Sequence, residues 1–117
     1  MTTVLTNYFA SAELDLYIDQ GDDYDNILTL NDELGIPIDL TGLTVTASMK
    51  RYYNSTKDYA LTVALSGSGA DGRIRLSMTS NNTSLLVDPR YVYSVYVTTQ
   101  SKKVKVLYGQ VLISPKA

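Results

Sequence analysis

The chain has 117 residues, 44% of them hydrophobic, which suits one domain with a single core. It has no Cys and no His, which excludes a disulfide framework, a thiolate nucleophile, a Cys-based metal site, the commonest general base and the commonest metal ligand. The formal net charge is −2, Trp is absent, and ten Tyr residues join apolar bodies to polar tips, a composition suited to strands and contact surfaces.

In chain order, MTTVLTNYFASA (1–12) has neither a basic start nor a long apolar run, so it is not a signal peptide. Val4, Leu5, Tyr8 and Phe9 make it an N-terminal arm that either lies against a neighbour or packs on its own sheet. No apolar stretch is long enough to cross a bilayer, and the expectation is a soluble chain made in the cytoplasm. Residues 13–117 read as one β-sandwich domain. ELDLYID (13–19) and YDNILTL (24–30) are strand-like. The acidic run DQGDDYDN (19–26) between them invites a calcium site at Asp22, Asp23 and Asp25. Its spacing does not match a twelve-residue EF-hand loop and no Glu closes it, so weak binding or none is expected.

NDELG (31–35) ends in a glycine suited to a left-handed position. In GIPIDLTG (35–42), Pro37 fixes φ and Asp39 or Thr41 can bond local backbone. Ile36, Ile38 and Leu40 are expected to point into the core as the chain changes sheet. LTVTASMK (43–50) alternates Leu43, Val45, Ala47 and Met49 against Thr44, Thr46, Ser48 and Lys50. KRYYNSTKDY (50–59) mixes Lys50, Arg51 and Lys57 with Tyr52, Tyr53 and Tyr59. That mixture suits base stacking, but the sequence pI of about 4.8 favours a protein contact over nucleic acid.

YALTVAL (59–65) and RIRLSM (73–78) alternate again, with Leu61, Val63, Leu65, Ile74, Leu76 and Met78 inward and Arg73 and Arg75 outward. GSGADG (67–72) reverses the chain between them; it lacks the Lys-Ser/Thr of a phosphate loop. TSNNTSLLVDP (79–89) reads as one helical turn crossing between sheets, with Thr79 or Ser80 as N-cap. RYVYSVYVTT (90–99), the turn QSKK (100–103) and KVLYGQVLI (105–113) finish the chain, with Gly109 expected at a bulge or kink. About seven short strands with one crossover helix predict an all-β fold, an immunoglobulin-like antiparallel β-sandwich, with a small barrel as the runner-up.

Charge is unevenly distributed. Residues 1–49 hold nine acids and no base; the remainder holds all ten bases and three acids. Either pairing strands mix these charges in space, or the molecule is acidic on one side, basic on the other, and able to stack head to tail.

YDNILTLNDELGIPIDLTGLTVTASMKR, DGRIRLSMTSNNTSLLVDPRYVYSVYV and VLYGQVLISP, taken in this order and spacing, resemble the small immunoglobulin-like β-sandwich modules of tailed-bacteriophage virion proteins. Such modules occur in baseplates, tail adaptors and head-surface proteins. The sequence departs from them at Asp88-Pro89-Arg90-Tyr91, where they often carry Pro-Gly, which affects one turn. The resemblance implies a virion location and a non-enzymatic, multi-copy structural protein. It implies no catalytic residue, cofactor or metal. Its partners would be other virion structural proteins and copies of itself, with no small-molecule substrate, nucleic acid or membrane. A carbohydrate- or receptor-binding module is the alternative. The candidate interface residues are Tyr8, Phe9, Tyr52, Tyr53, Tyr59, Lys102 and Lys103.

Overall fold

A computed structural model describes residues 2–5, 12–31, 35–67, 69–98 and 102–115. Nine strands and one helical turn follow in chain order: β1 (Thr2–Leu5), β2 (Ala12–Glu13), β3 (Leu16–Asp19), β4 (Tyr24–Leu30), β5 (Thr44–Lys50), β6 (Thr62–Leu65), β7 (Arg73–Met78), α1 (Ser80–Thr83), β8 (Arg90–Thr98) and β9 (Lys103–Ser114). The seven strands expected from alternation are β3 to β9.

The strands form two sheets. One runs β1-β4-β7-β6; the other runs β2-β9-β8-β5, with β3 also on β9. The orders β4-β7-β6 and β9-β8-β5 are those of strands B-E-D and G-F-C in an immunoglobulin sandwich. The sheets are antiparallel except where β1 runs parallel to β4, and β2 and β3 run parallel to β9. Thr2–Leu5 and Ala12, within the stretch read as an arm, therefore lie in the sheets. Tyr8 and Phe9 fall outside the described residues.

Alternation places the core. Leu28, Met49, Ile74, Leu76, Tyr93 and Val95 are all essentially inaccessible between the sheets. Val45 and Val63 are half-buried against this core, while Arg73 and Arg75 face out.

The corner GIPIDLTG carries the chain from β4 in one sheet to β5 in the other. The Thr41 amide donates to Asp39 Oδ1 at 2.9 Å, and the Leu43 amide to the Leu40 carbonyl at 3.0 Å. Gly42 sits at φ 77°, where a Cβ would be strained. Leu40 is fully buried and Ile38 half-buried, as expected, but Ile36 is 56% exposed. The Ile38 amide bonds back to Leu30 and Pro37 bridges Asn31, so Ile36 lies past the end of β4, where no strand of the described residues covers it.

Gly109 also corrects the reading. The register irregularity of the β8–β9 ladder falls at Val95/Tyr96, away from Gly109. Gly109 lies opposite Tyr93, and a Cβ there would come within 2.2 Å of the Leu14 carbonyl oxygen. That carbonyl, between β2 and β3, uses the vacant space and accepts the Tyr93 phenol proton. The glycine permits a close approach and makes no bulge.

Candidate functional site

Strand parity that buries Tyr93, Val95 and Val97 sends Val92, Ser94 and Tyr96 of β8 to the outer face of the five-stranded sheet. The register builds rows across that face. Thr46, Tyr96 and Lys105 form one; Ser48, Ser94 and Tyr108 form the next, with Glu13 beside Tyr108. Arg90, Leu112 and Tyr17 form a third, in which Tyr17 is 71% exposed. Lys103 Nζ lies 4.6 Å from the Tyr96 ring centre and Lys105 Nζ 5.7 Å from that of Tyr108. Each such contact is worth about 0.5–1 kcal/mol at an exposed site and holds ring and ammonium in one geometry.

The segment 51–60 is fastened to the end of β5 and displays its tyrosines beside this face. Arg51 donates to the Arg90 carbonyl at 2.7 Å, meets Asp88 at 3.4 Å and stacks 4.5 Å over Tyr52. Asp58 accepts from Ser48 Oγ at 3.1 Å and lies 3.9 Å from Lys50 Nζ. Tyr52 and Tyr53 remain 58% and 61% exposed. Partial burial pushes the Tyr53 phenol up, with the charges of Tyr108, Glu13 and Asp15 adding to the shift. Tyr53 lines a recess of about 80 Å³ with Ser48, Lys50, Val92, Ser94 and Tyr96.

Of the candidates read from sequence, Tyr52 and Tyr53 are presented together, and Lys102 and Lys103 are exposed at the start of β9. Tyr59 is placed differently. Its amide donates to the Met49 carbonyl at 2.8 Å, and its half-buried ring meets buried Tyr91 edge-on at 4.8 Å, so it anchors the segment from beneath. Sequence reasoning missed Tyr17, Tyr96 and Tyr108. The signal was available: Tyr96 has the parity of Val92 and Ser94, opposite to the buried Tyr91 and Tyr93.

The acidic turn does structural work. Asp23 Oδ1 accepts the Ser80 amide at 2.7 Å and so caps α1 from 57 residues away, whereas the side chain of Thr79, at the N-cap position, makes no cap bond. Buried Thr83 donates to the Asp22 carbonyl at 2.8 Å and accepts from the Gly21 amide at 3.0 Å. Arg75 grips Asp25 with two N–H donors, Nε at 2.7 Å, and holds its carboxyl below the usual carboxylate range. Among the described residues no three acidic side chains gather as a metal site would require.

No protein-family model matches the chain, and no curated protein is significantly similar to it. Among solved structures it is similar to the N-terminal domain of phage TP901-1 ORF48, with a TM-score of 0.57 and 10% identity over 97% of this chain and 99% of that one. At that identity the likeness is one of fold.

Proposed function

We propose that this chain is a non-enzymatic structural protein of a tailed-phage virion, present in many copies, that docks to and bridges neighbouring virion proteins of the tail, baseplate, neck or head surface. The observation that carries the reading is the outer face of the five-stranded sheet. Tyr17, Tyr96 and Tyr108 stand there on strands among lysines and hydroxyls, with Tyr53 beside them on the fastened segment 51–60. Rigid tyrosines give contact area at little cost in side-chain entropy, and polar tips let the same face meet water before docking. The fold likeness to a phage domain and the motif order of the sequence support the virion assignment. The alternative, a sugar-binding module, would use the Tyr53 recess of about 80 Å³ or the open recesses of about 410 and 420 Å³ beside Tyr17. Tyr17, Tyr96 and Tyr108 lie along strands rather than clustering in loops, which favours a protein partner.

The test is incorporation of labelled protein into particles that lack it, at low and high salt. Replacing Tyr52 and Tyr53 with Ser should weaken incorporation more than replacing Lys102 and Lys103 with Ser. High salt should slow docking without abolishing it, because charge steers contact and is screened over about 8 Å at physiological ionic strength. Equal incorporation of every variant at every salt concentration would sink the reading.

A further inference from the structure

We propose that the open edge of β2 and β3 receives an extended segment of a neighbouring virion protein as an added strand. That segment alternates basic and apolar residues, and it brings a hydrogen-bond donor to Asn26. The inference rests on the docking reading above and names the partner's chemistry. β2 and β3 lie along β9 in one register, Ala12 opposite Leu107 and Asp19 opposite Ser114. The amides of Leu14 and Gln20 both donate to β9 carbonyls, at 2.9 Å. Backbone groups alternate sides along a strand, so Asp15 and Tyr17 turn their N–H and C=O away from β9. Neither has a backbone partner there among the described residues. Unpaired groups in a row are a template for another strand.

A recess runs beside this edge. Among the described residues β1 covers β4 from Ile27 to Leu30, and Tyr24 and Asn26 lie before that stretch. Both have the inward parity of Leu28. With Leu14 and Leu16 of the other sheet they line a recess of about 420 Å³. Asn26 Oδ1 is buried and has no hydrogen-bond partner, an oxygen where alternation calls for a carbon. A buried acceptor left unpaired is costly, and a donor entering the recess would satisfy it.

A strand added beside β3 sends alternate side chains to the recess and to the outer face. On the outer face it meets exposed Glu13 and Asp15, which make no ion pair among the described residues. Arg90, in the row of Tyr17, lies two strands in, and Asp25 is already held by Arg75. Opposite charges on neighbouring strands attract and like charges repel, so the outward residues of the guest are Lys or Arg. Its inward residues are apolar, with one donor among them. A second copy does not supply such a strand. The basic, alternating strands β7 and β9 are paired on both sides, and the β6 edge, TVAL, carries no charge. Two β3 edges would set carboxylate against carboxylate.

Titration of isotope-labelled protein with the capped peptide Lys-Val-Lys-Thr-Lys-Val-Lys, followed by amide shifts and hydrogen exchange in NMR, tests it. The amides of Asp15 and Tyr17 should shift and exchange several-fold more slowly, and those of the β6 edge should not change. Three control peptides should do neither: one with its lysines grouped at one end, one with Glu for Lys, and one N-methylated throughout. Glu13→Gln, Asp15→Asn should weaken binding several-fold, and its side-chain amide oxygen can still accept from Gln110 as Asp15 does. Wild type should prefer the peptide with Thr at its centre to one with Val there, and Asn26→Leu should lose that preference. Far-UV circular dichroism and melting confirm that both variants are folded. No response at Asp15 and Tyr17 overturns the inference. So does an equal response to a control peptide, undiminished binding by the carboxylate variant, or a wild type indifferent to Thr. If strand addition fails while incorporation into particles still depends on Tyr52 and Tyr53, the docking reading survives without it.

Discussion

A methyl group on Gly109 would come within 2.2 Å of the Leu14 carbonyl oxygen. That atom is backbone, held by the Leu14 amide's bond to the Tyr108 carbonyl at 2.9 Å and by the Tyr93 phenol. It cannot move aside as a flexible side chain would. Gly109→Ala should therefore cost about 1–3 kcal/mol through overpacking, read from the denaturant midpoint. Tyr93→Phe removes one hydrogen bond without adding bulk and should cost about 1 kcal/mol. Leu76→Ala, at a fully buried position, should cost about 2–5 kcal/mol. The same residue scale sets an alkaline limit. Burial raises the phenols of Tyr91 and Tyr93 above the ordinary value of 10.0. A raised folded-state pKa stabilises the fold fully below the unfolded value, and that stability is lost as pH climbs above it. Unfolding followed by circular dichroism and ionisation of these two tyrosines followed by absorbance should thus coincide above pH 10. Ionisation that clearly precedes unfolding would show that the two rings are less buried than they stand here.

At the scale of elements, α1 depends on a residue from a distant turn. The Asp23 carboxylate serves the amide that the N-cap side chain leaves open, a role worth about 0.5–2 kcal/mol by analogy with local caps. Asp23→Ala should lower the melting temperature by the same amount with calcium or with chelator. A loss seen only in calcium would restore a metal role for the DQGDDYDN turn. This dependence marks what could be read in advance. Period-two alternation names the residues facing the core, so the seven strands and the inward sets of β5, β6 and β7 were legible, as was the corner at Asp39. Remote partners leave no local trace. Nothing near Ser80 announces Asp23, and nothing near Gly109 announces Leu14. Strand β1, TTVL, has no polar–apolar alternation and β2 is two residues long, so neither carries a periodic signal. The tyrosine face was half legible. Tyr52 and Tyr53 stand out as a cluster, but Tyr17, Tyr96 and Tyr108 join them only once the register is known.

Across the whole molecule, the segregated charges of the sequence are partly mixed. Arg75 of the basic half meets Asp25 of the acidic half across the β4–β7 pair, while Lys50 and Arg51 pair with Asp58 and Asp88 of their own half. The β9 edge stays polarised because β2 and β3, which bring Glu13, Asp15 and Asp19, lie beside its later residues, and its lysines come first.

Strand β9 is also where the two ends of the chain meet, since Leu16 pairs with Val111. Closing a loop of that length costs roughly 4 kcal/mol of chain entropy, offset only when the ladder and the core beneath it form together. The edges of the two sheets should consequently respond very differently to truncation. Deleting residues 107–117 strips β2 and β3 of the only strand partner they have among the described residues and removes buried Leu107 and Val111. That chain should lose cooperative unfolding altogether. Deleting residues 1–5 removes one four-residue edge strand and leaves β4 paired with β7 along six residues. That chain should still melt in one cooperative step, at a lower temperature. Its β4 edge, with the amides and carbonyls that β1 had covered, should make it more prone to aggregate than the full chain. Calorimetry of the two truncations, with light scattering on the second, separates these outcomes. A cooperative transition in the C-terminal truncation, or a molten N-terminal one, would mean that the sandwich is held together elsewhere than along β9.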